Sequence, residues 1–217
     1  MDFNVCPMFE YIFLLGRPGC GKSVVYNLLT DRMREEGLGR EFMRIDDYPI
    51  LKELMDRDTG FKKHVLVEGE FQITDLTVYD DVLEEINRRL KELRKPSRVI
   101  FVEFARRSYV DALKKFDREV LNRSLIVYIY CPFDLCLKRN RERLERRGKT
   151  ADDHIVPEEK MREYYTHDDY EELFLKSEEE LQKCAPAPLV VVRNDSEGLR
   201  RLKQELEKVI HTITLGR

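Results

Sequence analysis

Five apolar runs punctuate the chain, at residues 11–15, 65–67, 99–104, 125–130 and 189–192. They are rich in β-branched and aromatic residues and nearly continuous rather than alternating, which predicts strands covered on both faces. Between them, residues 22–36, 78–94, 109–116, 133–147 and 197–210 read as helices. In the second of these, Val78, Val82, Leu83, Ile86, Leu90 and Leu93 recur at steps of three and four, painting one apolar stripe along a helix. Because strand and helix alternate, the pattern predicts an α/β three-layer sandwich around a mostly parallel five-stranded sheet with right-handed crossovers. Lys95-Pro96-Ser97 stops the long helix, Pro132 suits the first turn of the helix after Cys131, and Asp195-Ser196 offers an N-cap to the last helix.

A length of 217 residues suits one domain spanning 1–217. Hydrophobic residues make up 42%, enough for a core, and charged residues 37%, which favours long solvated helices. Lys and Arg number 39 against 42 Asp and Glu, a net charge of -3. That leaves no overall cationic field to hold a nucleic-acid backbone, so dedicated nucleic-acid binding is disfavoured. No apolar run approaches the ~18 residues that span a bilayer and no signal-peptide pattern opens the chain, so no membrane partner is expected. Five cysteines, odd in number and without a C-x-x-C pair, suit reduced thiols and a cytoplasmic location. The histidines do not cluster and suggest no metal site.

One motif carries chemistry directly. Gly16-Arg17-Pro18-Gly19-Cys20-Gly21-Lys22-Ser23 fits G-x-x-x-x-G-K-[S/T], the Walker A pattern, and lies between a strand and a helix as that pattern requires. Glycines let the backbone turn tightly and aim its N–H groups inward, where with the helix N-terminus they bind polyphosphate oxygens. Lys22 is then expected on the β- and γ-phosphates of ATP and the Ser23 hydroxyl on Mg²⁺. Gly16, Gly19, Cys20, Gly21 and Val24 complete the expected nucleotide contacts.

With this loop in place, the chain resembles the P-loop small-molecule kinase group, which includes nucleoside monophosphate kinases and nucleoside kinases. That resemblance implies a P-loop NTPase fold of the nucleotide kinase-like kind with a helical lid. The strand at 99–104 ends in Glu103, with Arg106 three residues on. In the group, a strand-end acid orients Mg²⁺ and an arginine nearby contacts the acceptor, roles carried here to Glu103 and Arg106. The acid-arginine motifs that identify adenylate or thymidylate kinases are absent, so acceptor identity does not carry over.

After the strand at 125–130, residues 138–149 hold seven basic and two acidic residues, and residues 151–180 hold twelve acidic and three basic ones. The resemblance makes the segment at about 138–170 the lid. Arg139 and Arg143, four apart on one helix face, are its expected catalytic arginines, acting on the transferred phosphoryl group, with Arg139 also touching the nucleotide. Gly148 is a candidate hinge, and Tyr164, Tyr165 and Tyr170 are expected to pack the return limb as core. Asn194, in the loop after the last strand, is the candidate for the base pocket.

Two further acidic clusters, Ile45-Asp46-Asp47-Tyr48 and Val67-Glu68-Gly69-Glu70, are expected at the carboxyl ends of strands, where ligands gather in α/β sheets. Asp46 and Glu68 are the acceptor-side candidates, either as a base for a hydroxyl acceptor or as contacts to its sugar or base. Phe71, Tyr79 and Tyr109 read more simply as core than as stacking partners. The resulting expectation is a Mg²⁺-dependent, ATP-binding kinase that moves the γ-phosphoryl group to a small-molecule acceptor, a nucleotide or nucleoside. The alternative is a nucleotide-binding regulatory protein, or a P-loop NTPase without a small-molecule acceptor.

Overall fold

The computed structural model describes residues 9–39, 41–67, 70–145 and 156–215. In chain order these form β1 (Tyr11–Leu15), α1 (Lys22–Glu35), β2 (Glu41–Asp46), α2 (Asp47–Arg57), β3 (His64–Val67) and β4 (Glu70–Ile73). There follow α3 (Val78–Leu93), β5 (Arg98–Phe104), α4 (Tyr109–Leu113), α5 (Arg118–Leu121), β6 (Ser124–Tyr130) and α6 (Phe133–Glu145). The last described elements are α7 (Glu158–Tyr164), α8 (Asp169–Lys176), α9 (Glu178–Cys184), β7 (Leu189–Arg193) and α10 (Arg200–Leu215).

The main sheet is five-stranded in the order β2-β5-β1-β6-β7, and every pairing in it is parallel. All five residues of β1 are buried. One face of the sheet carries Phe13, Val102 and Tyr128 into a core completed by α3, α4 and α8. The other carries Ile12, Leu14 and Val127 against α1, α6 and α10. These two cores make the fold a three-layer α/β sandwich, because each strand needs cover on both sides. The chain runs from β1 out to the edge strand β2, returns by β5, and then crosses to β6 and β7. Strand order therefore reverses beside β1, which opens a crevice at the carboxyl ends of β1 and β5.

Two expectations are corrected. The apolar run at 65–67 is not a strand of the main sheet: it pairs antiparallel with β4 in a separate hairpin, where Val65, Leu66 and Val67 are 42, 58 and 49% exposed. Its place is taken by β2, Glu-Phe-Met-Arg-Ile-Asp, whose mixed composition follows from an edge position with partial cover. The last helix does not start at an Asp195-Ser196 cap. Gly198 turns the chain at φ 78°, outside helical geometry, and α10 begins at Arg200. No helix among the described residues is long and apolar enough to cross a membrane.

Candidate functional site

The loop after β1 is held in shape by close contacts. Gly19 and Gly21 have φ of 82° and 101°. A β-carbon on Gly19 would strike the Cys136 carbonyl oxygen, and one on Gly21 would lie 2.5 Å from Asn194 Nδ2. Both positions thus require glycine for conformation and for space. Lys22 Nζ donates to the carbonyl oxygens of Gly16 at 2.7 Å and Arg17 at 3.3 Å, so the ammonium lies across the loop that precedes it. The first turn of α1 contains no acidic residue of its own, which suits the positive end of the helix dipole to an anion. Cys20 is fully buried in the core that packs α1 against the sheet, and Val24 lies at the cavity surface.

Behind the loop, Arg17 is 3% exposed. Its guanidinium donates to the Cys131 carbonyl at 3.2 Å, to Asp168 Oδ2 at 3.3 Å and to both carboxylate oxygens of Glu171, one at 3.0 Å and the other closer. Tyr128 donates its hydroxyl to Asp168 Oδ1 at 3.0 Å, and the same oxygen caps α8 by accepting from the Glu171 amide at 2.8 Å. Burial pushes the Asp168 carboxyl up to about 6, against the pull of these donors and of Arg17. Tyr109 completes the rear wall, its hydroxyl oxygen accepting from the Gly16 amide at 2.9 Å.

In front of the loop, the parallel register sets Asp46 beside Glu103 at the carboxyl ends of β2 and β5. Arg44 lies two residues before Asp46 on the same strand face. Its Nη2 donates to Ser23 Oγ at 3.1 Å, Asp46 Oδ2 at 3.1 Å and Glu103 Oε2 at 3.2 Å, and its Nε lies 2.9 Å from Glu103 Oε1. A hydroxyl and two carboxylates thus already converge on one cation. This hard, oxygen-only donor set suits Mg²⁺, so the residues present fit the metal that a P-loop implies.

A cavity of about 1020 Å³ opens from the loop at Lys22 and Ser23 and continues past the end of β2 to the hairpin, α3 and α7. Asp47 lines it and accepts from Arg106 Nη1 at 2.7 Å, while the Arg106 guanidinium lies 5.1 Å from the Tyr79 ring centre. Burial pushes the Asp47 carboxyl up, with Arg106 opposing the shift. Phe71, Tyr79, Tyr164 and Tyr165 also line this wall, so four rings expected to be core border the cavity, whereas Tyr109 and Tyr170 are buried.

Arg139 and Arg143 share a face of α6 but border different spaces. Arg143 lines the large cavity. Arg139 borders a second hollow of about 190 Å³, together with Leu135, Lys138 and Gly198. It donates to the carbonyl oxygens of Asn194 at 3.3 Å and Ser196 at 3.2 Å. Asn194, the residue expected at the base pocket, is 6% exposed, and its Nδ2 donates to the Cys20 carbonyl at 2.7 Å, which ties its side chain to the loop. Glu68 and Gly148 lie outside the described residues.

Sequence reasoning missed Arg17, Arg44 and Asp47 as separate actors. Arg17 occupies a variable position of the motif, and Arg44 sits in a strand that the apolar pattern does not reveal. Asp47 was visible only as the neighbour of Asp46.

A family model described as an AAA domain matches residues 15–158, well over half of the chain and including the loop, the β2 corner and Glu103. The chain belongs to the AAA domain family. Its fold is that of P-loop small-molecule kinases, and several solved structures share it. Shikimate kinase from Acinetobacter baumannii in complex with shikimate is 22% identical, with a TM-score of 0.51 over 98% of this chain and 97% of that one. The APS kinase CysC of Mycobacterium tuberculosis, in complex with AMPPNP and APS, is 15% identical, with a TM-score of 0.54 over 96% and 99%. Kti12 from Chaetomium thermophilum in complex with ADP-AlF3 is 16% identical, with a TM-score of 0.59 over 94% and 98%. No curated protein sequence matches the chain significantly.

Proposed function

We propose that this AAA-domain protein is a Mg²⁺-dependent kinase that transfers the γ-phosphoryl group of ATP to a small-molecule acceptor, a nucleotide or nucleoside. The observation that carries this reading is the continuity of the loop with the cavity of about 1020 Å³, at the upper end of the range for ligand sites. A protein that only bound ATP would have no use for the Asp47, Arg106 and aromatic wall at the cavity's far end.

In this reading the loop amides and Lys22 bind the polyphosphate, and Ser23, Asp46 and Glu103 hold the metal. Mg²⁺, when bound, neutralises charge on the transferring phosphoryl group. Arg143, which borders the same cavity, supplies a guanidinium to the equatorial oxygens, and Arg139, at the smaller hollow, contacts the nucleotide. Arg106 binds the acceptor. Asp47 takes the role of accepting or orienting the acceptor hydroxyl, because both oxygens of Asp46 are engaged, by the Tyr48 amide and by Arg44. Charge stabilisation and alignment by these groups account for the catalysis.

The test is ADP formation from Mg·ATP across a panel of nucleoside monophosphates, nucleosides, sugars and hydroxy-acids, with Lys22→Ala as the blank. One strongly stimulating acceptor, with the stimulation abolished in Lys22→Ala, supports the reading. Equal turnover by Lys22→Ala overturns it.

A further inference from the structure

The most unexpected group in the site is Arg44. P-loop chemistry asks for a metal ion near the hydroxyl that follows the loop lysine, and here a side chain of the protein itself already binds that hydroxyl. Ser23 Oγ, Asp46 Oδ2 and Glu103 Oε2 all lie within 3.2 Å of the one nitrogen Arg44 Nη2. The reason lies in the register. Asp46 and Glu103 are paired across neighbouring parallel strands, and Glu103 is 2% exposed. Two carboxylates so placed repel each other and lose hydration, and a cation between them relieves both costs. The Arg44 side chain is 18% exposed and lines the cavity, with its guanidinium 5.7 Å from the Tyr26 ring centre.

We infer that Arg44 is the resident counter-cation of the metal site, competing with a divalent ion for the same three oxygen donors. This rests on the reading of Ser23, Asp46 and Glu103 as metal donors. In the nucleotide-free protein the guanidinium holds the three groups together. When a divalent ion arrives with a polyphosphate, Ser23 and the carboxylates exchange partners, and the phosphate oxygens offer the released guanidinium an anion in return. The exchange reaches the acceptor wall, because Asp46 also caps α2 through the Tyr48 amide at 3.0 Å, and Asp47 is the next residue. Loading the metal therefore alters contacts at the corner that positions Asp47 against Arg106.

The experiment uses Mn²⁺ alone as the probe, read by the loss of its free electron paramagnetic resonance signal, without nucleotide. Arg44→Met keeps the length of the stem and removes the charge, and is expected to bind Mn²⁺ at about tenfold lower concentration than the wild type. Arg44→Lys, still cationic, is expected to bind close to wild type, and adding Ser23→Ala or Glu103→Gln to Arg44→Met is expected to abolish the gain. Circular dichroism and thermal midpoints establish that each variant is folded, and Arg44→Gln replaces Arg44→Met if that variant is not. Unchanged or weaker Mn²⁺ binding in the folded neutral variant overturns the inference. A gain that survives both second substitutions places the metal elsewhere and overturns it as well. Absence of kinase activity would count against the proposed function and leave this metal comparison intact.

Discussion

Two arginines flank the phosphate loop, each paired with two carboxylates, and they differ in what surrounds the pair. Arg17, behind the loop, is 3% exposed, and its partners Asp168 and Glu171 are buried at the start of α8. Arg44, in front, is 18% exposed, and its partners Asp46 and Glu103 border the cavity. A closed ion pair has no solvent or ligand to turn to, so it acts as a fixed strut between the loop and the return limb. An open one at the rim of a cavity can exchange its partners for those of a ligand. The same residue type therefore anchors the loop on one side and keeps a place on the other, and burial decides which.

The sharpest way to break this comparison is to remove both arginines in turn. Arg17→Met leaves two buried carboxylates uncompensated and is expected to lower unfolding free energy by about 3–5 kcal/mol in urea denaturation. A loss no greater than that of Arg44→Met would refute the contrast. The pH profile probes the strut from its acid. The folded Asp168 carboxyl titrates at about 6 against an ordinary 3.8, so its ionisation costs the fold. Stability relative to Asp168→Asn is fully present below pH ~4 and falls by at most ~3 kcal/mol as pH rises through about 6. A flat difference across that window would show that the carboxyl is not held in its acid form. Arg44→Met is expected to cost about 2 kcal/mol, less than Arg17→Met, since it leaves Glu103 buried without its cation while Asp46 keeps contact with solvent, and its larger effect appears in metal binding. Smallest of all, Arg88→Ala on the outer face of α3, where Glu85 and Glu92 pair with it at the surface, is expected to leave the thermal midpoint unmoved.

The contrast also explains what was legible in the chain. The Walker A loop was readable because its function depends on residues adjacent in sequence, where glycine and lysine positions carry the geometry. The stripe of α3 was readable for the same reason: Val78, Val82, Leu83, Ile86 and Leu90 are all buried as their spacing predicts. β2 was not, because an edge strand can carry Glu41, Arg44 and Asp46 without burying them fully, and the run at 65–67 looked like a core strand although its hairpin leaves both faces open. Arg17 was opaque because its partners lie about 150 positions away and meet it only once α8 docks. The distinction between Asp46 and Asp47 depends on where β2 ends and α2 begins, and a one-residue shift there changes which carboxylate faces Arg44 and which faces Arg106.

The central claim is that the cavity in front of the loop receives an acceptor for the phosphoryl group. The most direct test is to follow Mg·ATP turnover by ³¹P nuclear magnetic resonance with the acceptor that most stimulates ADP formation, comparing wild type with Lys22→Ala. A new phosphoester or phosphoanhydride resonance on the acceptor, growing with ADP and absent in Lys22→Ala, is the predicted result. Release of inorganic phosphate alone, or tight ATP binding with no turnover across the whole acceptor panel, would contradict it.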